Sequence, residues 1–598
     1  MPDDFDDPRY GPWHPGLQSQ IPRDLLPLAT LFRGEHVQRS LAEIDELADL
    51  TGFKREELTV FRPERLALHE VLLRVTANIS VPDGNRIEDL GINFRQIVQV
   101  LLDEHVAREM PGIVAAYDEA CAALRACVAR ELAALYDPPA APAPTRSGWW
   151  RRLTESREPT PTPDVAMTAE AHVSAWETRS RAGADDVERA ACRALARTVS
   201  ALLVRHGALW GDREVVARIA VGLAANALGS AVIGARIEPL VEAAVAHHGW
   251  RLLPRQAQPV VMNTKGPSAA GKSTMRLLQR NLAGRIGVDW AEFALISPDI
   301  WRKQLLDYAS LGPAYKYAGA FTGEELSIVD AKLDRYMARK AERGQRSHLL
   351  IDRFRFDSFA PDSDVAGSNL LTRFGQIVYL FFLVTPPHLL VERAWGRGRD
   401  VGRYKAVDDT LAHAVEAYSG MPELFFTWIR RTEKRVHFEF LDNTVPRGAA
   451  PRTAAFGWNR TLHVLDVKCL IDIERYRKLA IDAQSAEALY PDRSVLDAAR
   501  NSGFLQRCVA EFREVSFVEQ ATGRTYLHVV DGVPQWADRD ILERIGATPD
   551  VRAGLLAAVP QAFTPAVPAQ SGPTLPADET VHTVGQWWTT LRDAAPPG

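Results

Sequence analysis

Hydrophobic and polar positions follow two different patterns along the chain. Between residues 25 and 135, apolar side chains recur every three or four positions, as at Leu41 and Ile44, so that they line one face of a helix. The same spacing resumes over 165–250. After Pro259, short apolar runs alternate with helical stretches, and this alternation predicts strand–helix–strand units and a parallel sheet covered by helices on both faces.

The predicted sheet rests on short runs rich in Val, Ile, Leu and Phe. These runs are 260–263, 293–297, 348–351, 377–384 and 436–441. Helices are expected over 272–282, 301–308 and 323–343, and a further strand and a hairpin at 461–467 and 515–530. Ligands of parallel sheets bind beyond the carboxyl ends of the strands, so the residues after each run are the first candidates for chemistry.

The turn after the first run carries a phosphate-binding pattern. Gly266, Gly271, Lys272 and Ser273 fit G-x-x-x-x-G-K-[ST], between a predicted strand and a predicted helix. The glycines allow a tight turn whose N–H groups converge on phosphate oxygens, the lysine reaches the terminal phosphates and the serine binds Mg²⁺. The alternative is a glycine-rich turn that binds nothing. The predicted nucleotide-binding segment is Gly266, Pro267, Ser268, Ala269, Ala270, Gly271, Lys272, Ser273 and Thr274.

Two carboxylates follow other strands of the predicted sheet. Asp299 comes after the second run, where a kinase holds the carboxylate that orients an acceptor hydroxyl or takes its proton; the alternative is that it only caps the next helix. Asp352 ends the third run and is a candidate metal partner through Mg²⁺-bound water, with Asp357 as its competitor. The neighbouring Arg353 and Arg355 either contact an anionic substrate or pair with these carboxylates.

Arginines and one asparagine follow the last two runs of the predicted sheet. Arg393, Arg397, Arg399 and Arg403 lie within eleven residues that also hold three glycines, a composition that suits a lid over phosphates. A solvated basic face is the alternative. Asn443 follows the fifth run, where its amide is placed to read the edge of adenine, while an ordinary Asx turn explains the same residue structurally.

Composition narrows the setting of this chemistry. A net charge of −5 over 598 residues is nearly neutral, so nucleic acid is not expected as a partner. The five cysteines lack metal-ligand spacing, and no secretory signal is seen, so we expect a cytoplasmic protein, with delivery as an effector as the alternative. Residues 219–235 carry no charge, but glycines and an asparagine interrupt them, which favours a buried helix over a membrane span.

These patterns predict an α/β fold with a P-loop NTPase-type parallel sheet as its kinase core. An all-α region precedes the core, and a smaller mixed α+β region follows it. A Pro-rich linker containing Trp149 and Trp150 divides the helical part. The predicted divisions are a helical region 1–136, the linker 137–166, a helical region 167–252, the P-loop core 253–446, a C-terminal α+β region 447–560 and a disordered tail 561–598.

Residues 259–444 resemble the zeta-toxin family of small-molecule kinases and the zeta-like kinase effectors related to it. The matching elements are residues 266–273, Asp299, the arginine segment 393–403 and residues 442–444. This lid is richer in glycine and arginine than the family pattern. The helical regions and the C-terminal region are not part of the resemblance.

The resemblance implies a role for each matching residue. Lys272 and Ser273 would hold the triphosphate and Mg²⁺, Asp299 would act on the acceptor hydroxyl, and Arg393 and Arg403 would grip the γ-phosphate. It also implies UDP-N-acetylglucosamine or NAD as the acceptor.

The predicted activity is therefore that of a Mg²⁺-dependent kinase. It transfers the γ-phosphate of ATP, or of GTP as the alternative donor, to a hydroxyl of a small nucleotide-containing metabolite. One rival is an NTP-dependent switch or scaffold without a metabolite acceptor, in which the helical N-terminal region binds a protein partner. Another rival is a nucleotide or polynucleotide kinase. The near-neutral charge of the chain argues against a polynucleotide substrate.

Overall fold

The computed structural model describes residues 9–136, 168–182, 185–353, 372, 374–446 and 448–587. The predicted linker 137–166 with its tryptophan pair therefore lies outside the described residues, and so do Arg355 and Asp357. The chain divides into two compact units. One comprises Pro27–Leu72 and Gln99–His247, and the other comprises Met1–Leu26, Leu73–Val98 and His248–Gly598.

Helices are the main elements of the described chain up to residue 248, as the spacing of apolar residues predicts. Their bounds are Leu41–Thr51, Arg55–Leu58, Pro63–Asn78, Asp89–Val100, the π-helical Leu101–Val106, Ala107–Tyr136, Ala169–Ala182, Asp186–His206 and Arg213–His248, with a 3-10 turn at Arg23–Leu28.

The first unit has a helical core. One of its apolar clusters joins Leu124, Trp176, Leu195 and Val216, which come from four different helices and are all buried. The helix Arg213–His248 is long and apolar enough to cross a membrane by length and composition, and 56% of its most apolar window is buried inside the protein.

The second unit is built on one ten-stranded mixed sheet. Its strands are β1 (Val260–Lys265), β2 (Phe293–Ile296), β3 (His348–Asp352), β4 (Ile377–Val384), β5 (Arg435–Asp442), β6 (Arg452–Trp458), β7 (Thr461–Val464), β8 (Glu514–Val518), β9 (Thr525–Val530) and β10 (Val533–Ala537). Their order is β10-β9-β8-β7-β6-β5-β4-β1-β3-β2. The first five strands pair in parallel, so their carboxyl ends lie at the same edge of the sheet.

Helices and turns connect these strands. The helices are Arg276–Arg285, Arg302–Leu305, Ala318–Phe321, Gly323–Glu342, Pro387–Val401, Val407–Ile429, Val467–Tyr476, Gly503–Glu511, Arg539–Ile545, Pro549–Ala558 and Ala577–Thr580. The 3-10 turns are Lys272–Met275, Trp290–Glu292, Pro298–Trp301, Tyr308–Tyr317, Glu487–Leu489, Arg493–Leu496, Ala498–Asn501 and Pro560–Phe563. The α/β class is as predicted from the alternation of strands and helices.

The C-terminal region continues the same sheet. β6 pairs with β5 in antiparallel register, with Phe438 opposite Gly457, so hydrogen bonding runs without a break from the predicted core into the predicted separate region 447–560. The hairpin expected at 515–530 is present as β8 and β9.

The end of the described chain, residues 579–587, forms a strap over one face of the sheet. The Glu439 carboxylate on β5 accepts hydrogen bonds from the backbone N–H of Val584 at 2.8 Å and of Gly585 at 3.0 Å. Trp587 is buried in a cluster with Phe456. The prediction of a disordered tail from residue 561 is therefore wrong up to Trp587, because this segment finds hydrogen-bond and packing partners that its Pro- and Ala-rich composition does not reveal.

Candidate functional site

The glycine loop, residues 266–271, joins β1 to the 3-10 turn Lys272–Met275. Ala269 and Gly271 have positive φ angles of 63° and 94°, and the Ala270 N–H donates to the Pro267 carbonyl at 3.2 Å. A Cβ on Gly266 would lie 3.0 Å from Leu383 Cβ. The loop therefore turns tightly against the end of β4, as the glycine spacing predicts.

The residues just after the loop fold back over it. Lys272 Nζ donates to the carbonyls of Gly266 at 3.1 Å and Pro267 at 3.0 Å, and the Thr274 N–H donates to the Gly271 carbonyl at 3.0 Å. Burial lowers the pKa of Lys272.

Four charged side chains act on the Lys272 ammonium. The carboxylates Asp352 and Asp299 stabilise its charge, whereas Arg397 and Arg403 oppose it. These residues come from the carboxyl ends of β2 and β3 and from the predicted lid. The structure thus brings together five charged groups that the sequence separates by 131 residues, from 272 to 403.

Ser273 and Asp352 meet across neighbouring strands. The Ser273 hydroxyl donates to Asp352 Oδ2 at 3.0 Å, and the Ser297 hydroxyl donates to the same oxygen at 3.4 Å. The pairing of β1 with β3 sets this contact, because Asp352 lies opposite Thr264 in the parallel register. One carboxylate and two hydroxyl groups form a set of hard oxygen donors, which suits Mg²⁺.

Asp299 lies on the 3-10 turn Pro298–Trp301 and binds arginines. Its Oδ1 accepts from Arg302 Nε at 2.9 Å, and its Oδ2 accepts from an Arg403 Nη at 2.6 Å. Burial favours the neutral acid, but Arg403 and Arg302 outweigh it and hold the pKa of Asp299 well below its usual value. Ser297, and not Asp299, occupies the N-cap position of the turn, so the capping alternative does not describe this residue.

The predicted lid is the end of the helix Pro387–Val401 and the segment after it. Arg397 Nε donates to the Arg403 carbonyl at 3.3 Å, and burial together with Arg403 lowers the pKa of Arg397 to about 9. Arg399 lies on the exposed side of the helix. The structure therefore directs Arg397 and Arg403, but not Arg399, towards Asp299 and Lys272.

Arg393 has a different position from the one implied for it. Its guanidinium donates to the carbonyls of Asn443 and Val445, both at 2.9 Å. These contacts tie the lid helix to the chain after β5. In place of the predicted γ-phosphate contact, the Arg393 guanidinium therefore binds backbone carbonyls and holds the lid helix against the chain after β5.

Asn443 supports the glycine loop from behind. Its side-chain N–H donates to the Ala270 carbonyl at 2.7 Å, and its backbone N–H donates to the Val384 carbonyl at 2.8 Å. This position replaces the predicted adenine contact, because the amide faces the loop backbone. The Asx turn belongs to the preceding residue, since Asp442 Oδ1 accepts from the Thr444 N–H at 2.9 Å.

Sequence reasoning missed two basic residues of the site. Arg302 binds Asp299, and Lys405 contacts Nδ1 of His413 and lies 3.4 Å from Asp409. Burial lowers the pKa of Lys405 to about 7, and Arg397 and Lys272 act in the same direction. The signal available in the sequence was spacing: Lys405, Asp409 and His413 recur at four-residue intervals directly after the lid arginines.

The structure also describes Arg353, for which the sequence predicts either a contact with an anionic substrate or pairing with Asp352 or Asp357. It is buried and pairs with Asp330 at 2.7 Å and with Asp334 at 2.5 Å, on the helix Gly323–Glu342. These partners are carboxylates of a helix and not Asp352, and the other predicted partner, Asp357, lies outside the described residues.

Comparison with known proteins adds no assignment to this geometry. The chain matches no family model, no curated protein and no solved structure. What the site does is therefore argued from the contacts of its own side chains.

Proposed function

We propose that this chain is a Mg²⁺-dependent phosphotransferase, which moves the γ-phosphate of ATP to a hydroxyl of a small nucleotide-containing metabolite. The observation that carries the proposal is the convergence of Lys272, Asp299, Asp352, Arg397 and Arg403 around one glycine loop at the carboxyl ends of parallel strands. Cations at such a loop favour a polyphosphate, and an ionised carboxylate beside them favours a hydroxyl acceptor.

The glycine loop and Lys272 are proposed to hold the phosphates. A helical turn that begins at Lys272 offers N–H groups without helical partners, and these attract an anion. The Lys272 ammonium lies over the loop carbonyls, within reach of a phosphate held by the loop. Asn443 keeps the loop in this shape through Ala270.

Ser273 and Asp352 are proposed to hold Mg²⁺. Their 3.0 Å contact brings together a hydroxyl and a carboxylate, which are ligands that Mg²⁺ accepts directly or through water. When bound, Mg²⁺ supplies neutralisation of the charge that develops on the phosphates.

Asp299 is proposed to act on the acceptor. Its ionised carboxylate accepts a hydrogen bond from the substrate hydroxyl and takes the proton as the new O–P bond forms, while the bond between the β- and γ-phosphates breaks and ADP leaves. Arg397 and Arg403 stabilise the negative charge of the phosphoryl group in transit. Closure of the lid helix over the site would exclude water and suppress hydrolysis of ATP.

The proposal includes the zeta-toxin-like P-loop core for residues 259–444. The loop between β1 and a helix, with Asp299 after β2, supports it. UDP-N-acetylglucosamine and NAD are proposed as acceptors on the strength of the sequence resemblance, and ATP is proposed as the donor.

The test is acceptor-dependent release of ADP by the purified full-length chain. With Mg²⁺ and ATP present, a panel that includes UDP-N-acetylglucosamine and NAD should contain an acceptor that stimulates ADP release and becomes labelled from γ-labelled ATP. Asp299→Asn should lower kcat by about 10²- to 10⁴-fold while ATP still binds, since the carboxylate serves the acceptor. Lys272→Met should weaken ATP binding itself.

The matched control is Asp482→Asn, which alters an exposed carboxylate far along the chain from the site. It should leave transfer unchanged. Transfer at the wild-type rate by Asp299→Asn with intact ATP binding would remove Asp299 from the mechanism. ADP release that no acceptor stimulates would instead favour the switch or scaffold.

A further inference from the structure

A basic pocket lies at the amino ends of β4 and β5, at the edge of the sheet opposite the glycine loop. Its volume is about 450 Å³, and its walls include Arg431, Lys434, Arg435, Trp458 and Arg460. β5 begins at Arg435 and ends at Asp442. Eight residues of strand span about 23 Å, so one nucleotide at the glycine loop does not extend into this pocket.

The pocket carries a concentration of positive charge. Four of its lining residues are cationic, and among the lining residues, all of which the structure describes, none is acidic. The nearest carboxylate on the same loop, Glu433, pairs with Arg431 at 2.6 Å. Clustered like charges raise the free energy of the folded protein unless an anion compensates them.

The charges also influence each other. Burial lowers the pKa of Lys434; Glu433 opposes this effect, and the neighbouring Arg431 and Arg346 add to it. Lys434 thus lies in a region where the positive charges outweigh the negative ones.

The walls of the pocket are fixed by Asn459. Its side-chain N–H groups donate to the carbonyls of Ile429 at 3.1 Å and Arg431 at 2.8 Å, and its oxygen accepts from the Val436 N–H at 2.8 Å. These bonds tie the loop before β5 to the turn between β6 and β7. The backbone segments that carry the cations are therefore joined to each other by three hydrogen bonds.

Trp458 orients one of the cations. The Arg435 guanidinium lies over the Trp458 ring, 4.9 Å from its centroid. A cation–π contact of this kind holds a guanidinium plane while its N–H edge stays available to an acceptor. An exposed Arg held in this way is suited to bind phosphate oxygens.

We propose that the basic pocket binds a small phosphate-bearing anion, separate from the phosphates at the glycine loop. Arg435, held over Trp458, and Arg460 supply charge-assisted hydrogen bonds, and Lys434 supplies a point charge. The volume suits a compact diphosphate or a sugar phosphate. This proposal stands independently of the kinase proposal, because it uses none of the same residues.

The experiment uses the full chain with Lys272→Ala, so that the proposed nucleotide site does not contribute, and inorganic pyrophosphate as the probe in isothermal titration calorimetry. We expect saturable binding at one site. Arg435→Gln with Arg460→Gln should weaken it by at least about tenfold, because two charge-assisted hydrogen bonds are lost. Arg460 lies on an exposed turn. Arg460→Gln alone should therefore weaken pyrophosphate binding measurably with no change in Tm, and this single variant distinguishes lost binding from a folding defect in the double variant.

The control is Arg493→Gln, an exposed arginine outside the pocket, which should bind pyrophosphate as the parent does. Unchanged binding in the pocket variants, or an equal loss in the Arg493→Gln control, would overturn the proposal. The absence of saturable binding would also overturn it. A short single-stranded RNA that competes for the pocket more tightly than pyrophosphate would replace it with a nucleic-acid surface.

Discussion

Gly271 shows how a single residue couples the glycine loop to the chain after β5. Its φ angle of 94° is one that L side chains rarely adopt, and an added Cβ would lie 2.8 Å from Nδ2 of Asn443. Gly271→Ala should therefore displace the amide that supports Ala270 and weaken ATP binding by roughly tenfold or more, with a stability loss of about 1 kcal/mol.

Gly284→Ala is the matched control for this substitution. Gly284 lies in the helix Arg276–Arg285, and a Cβ there would meet nothing within 4 Å. Alanine favours a helix over glycine by up to about 1 kcal/mol, so the control should be as stable as the wild type or more stable, with unchanged ATP affinity. Fluorescence titration with an ATP analogue measures the affinity, and equal affinities in both variants would contradict the strain argument.

Lys405 should make nucleotide binding depend on pH. Its pKa of about 7 means that the ammonium is largely charged at pH 6 and largely neutral at pH 8. We predict that this ammonium, which Lys272 and Arg397 influence, also acts on bound phosphates, so ATP affinity should fall as pH rises through 7, and the fall should be smaller in Lys405→Met. The measurement is the Kd for ATP between pH 6 and pH 8.

Asp409→Asn provides a second test of the effect of Lys405 on ATP binding. Asp409 stabilises the charged form of Lys405 from 3.4 Å. Its removal should lower the pKa of Lys405 further and move the midpoint of the ATP affinity profile to lower pH. A Lys405→Met profile identical to that of the wild type would place Lys405 outside the phosphate site.

At the residue scale, the sequence predicts those parts of the site that depend on local spacing. The glycine loop, Lys272 and Ser273 are set by a short pattern, and Asp299 and Asp352 by their places directly after apolar runs. Arg393 shows the limit of such reasoning. Which of several arginines on a helix faces a site depends on the packing of that helix, and the backbone carbonyls that accept from Arg393 are not visible in the sequence pattern.

At the scale of elements, the five core strands were predictable but their order was not. Predicted and observed bounds of β4 coincide, and β1 and β5 extend only slightly beyond the predicted runs. The residue pattern does not distinguish a central from an edge position, because β4 is almost entirely apolar whereas the equally buried β5 alternates and includes His437 and Glu439. The strap was not predicted because its partners lie more than 100 residues away in the sequence. The Val584 N–H, for example, donates to Glu439.

The anchor of the strap gives a prediction about stability and pH. Burial raises the pKa of Glu439 from 4.5 to about 7, although Thr453 and the backbone N–H groups of Val584 and Gly585 act against this. The folded protein therefore keeps a proton that the unfolded chain loses between pH 4.5 and 7. The stability contributed by this group is largest below pH 4.5 and is lost as pH rises through 7, by up to about 3 kcal/mol for a shift of 7 − 4.5 = 2.5.

Glu439→Gln, which does not ionise, should remove this part of the pH dependence. Urea-unfolding free energies at pH 5 and pH 8 measure it, and the difference between the two values should be smaller in the variant than in the wild type. The control is Glu543→Gln at an exposed position, which should keep the wild-type difference. The same decline in Glu439→Gln and in the wild type would show that other groups cause it.

At the scale of the whole sheet unit, the distribution of charge matters more than its total. The chain carries only −5, yet cations gather both beyond the carboxyl ends of β1 to β5 and at the amino ends of β4 and β5. The first group is assembled from segments far apart along the chain, between Lys272 and Arg403, whereas the second comes from the neighbouring segments 431–435 and 458–460. A count of charges along the sequence therefore underestimates how strongly anions are attracted to either place.

The continuity of hydrogen bonding from β5 into β6 has an evolutionary consequence. A gene fragment that stops near codon 446 would encode β5 without its partner β6. The backbone N–H and C=O groups along that edge of β5 would then be unpaired and would promote aggregation. Recombination that transfers the strands β1 to β5 to another protein should therefore carry β6 to β10 with it, so viable crossover points should fall before Val260 or after Trp587.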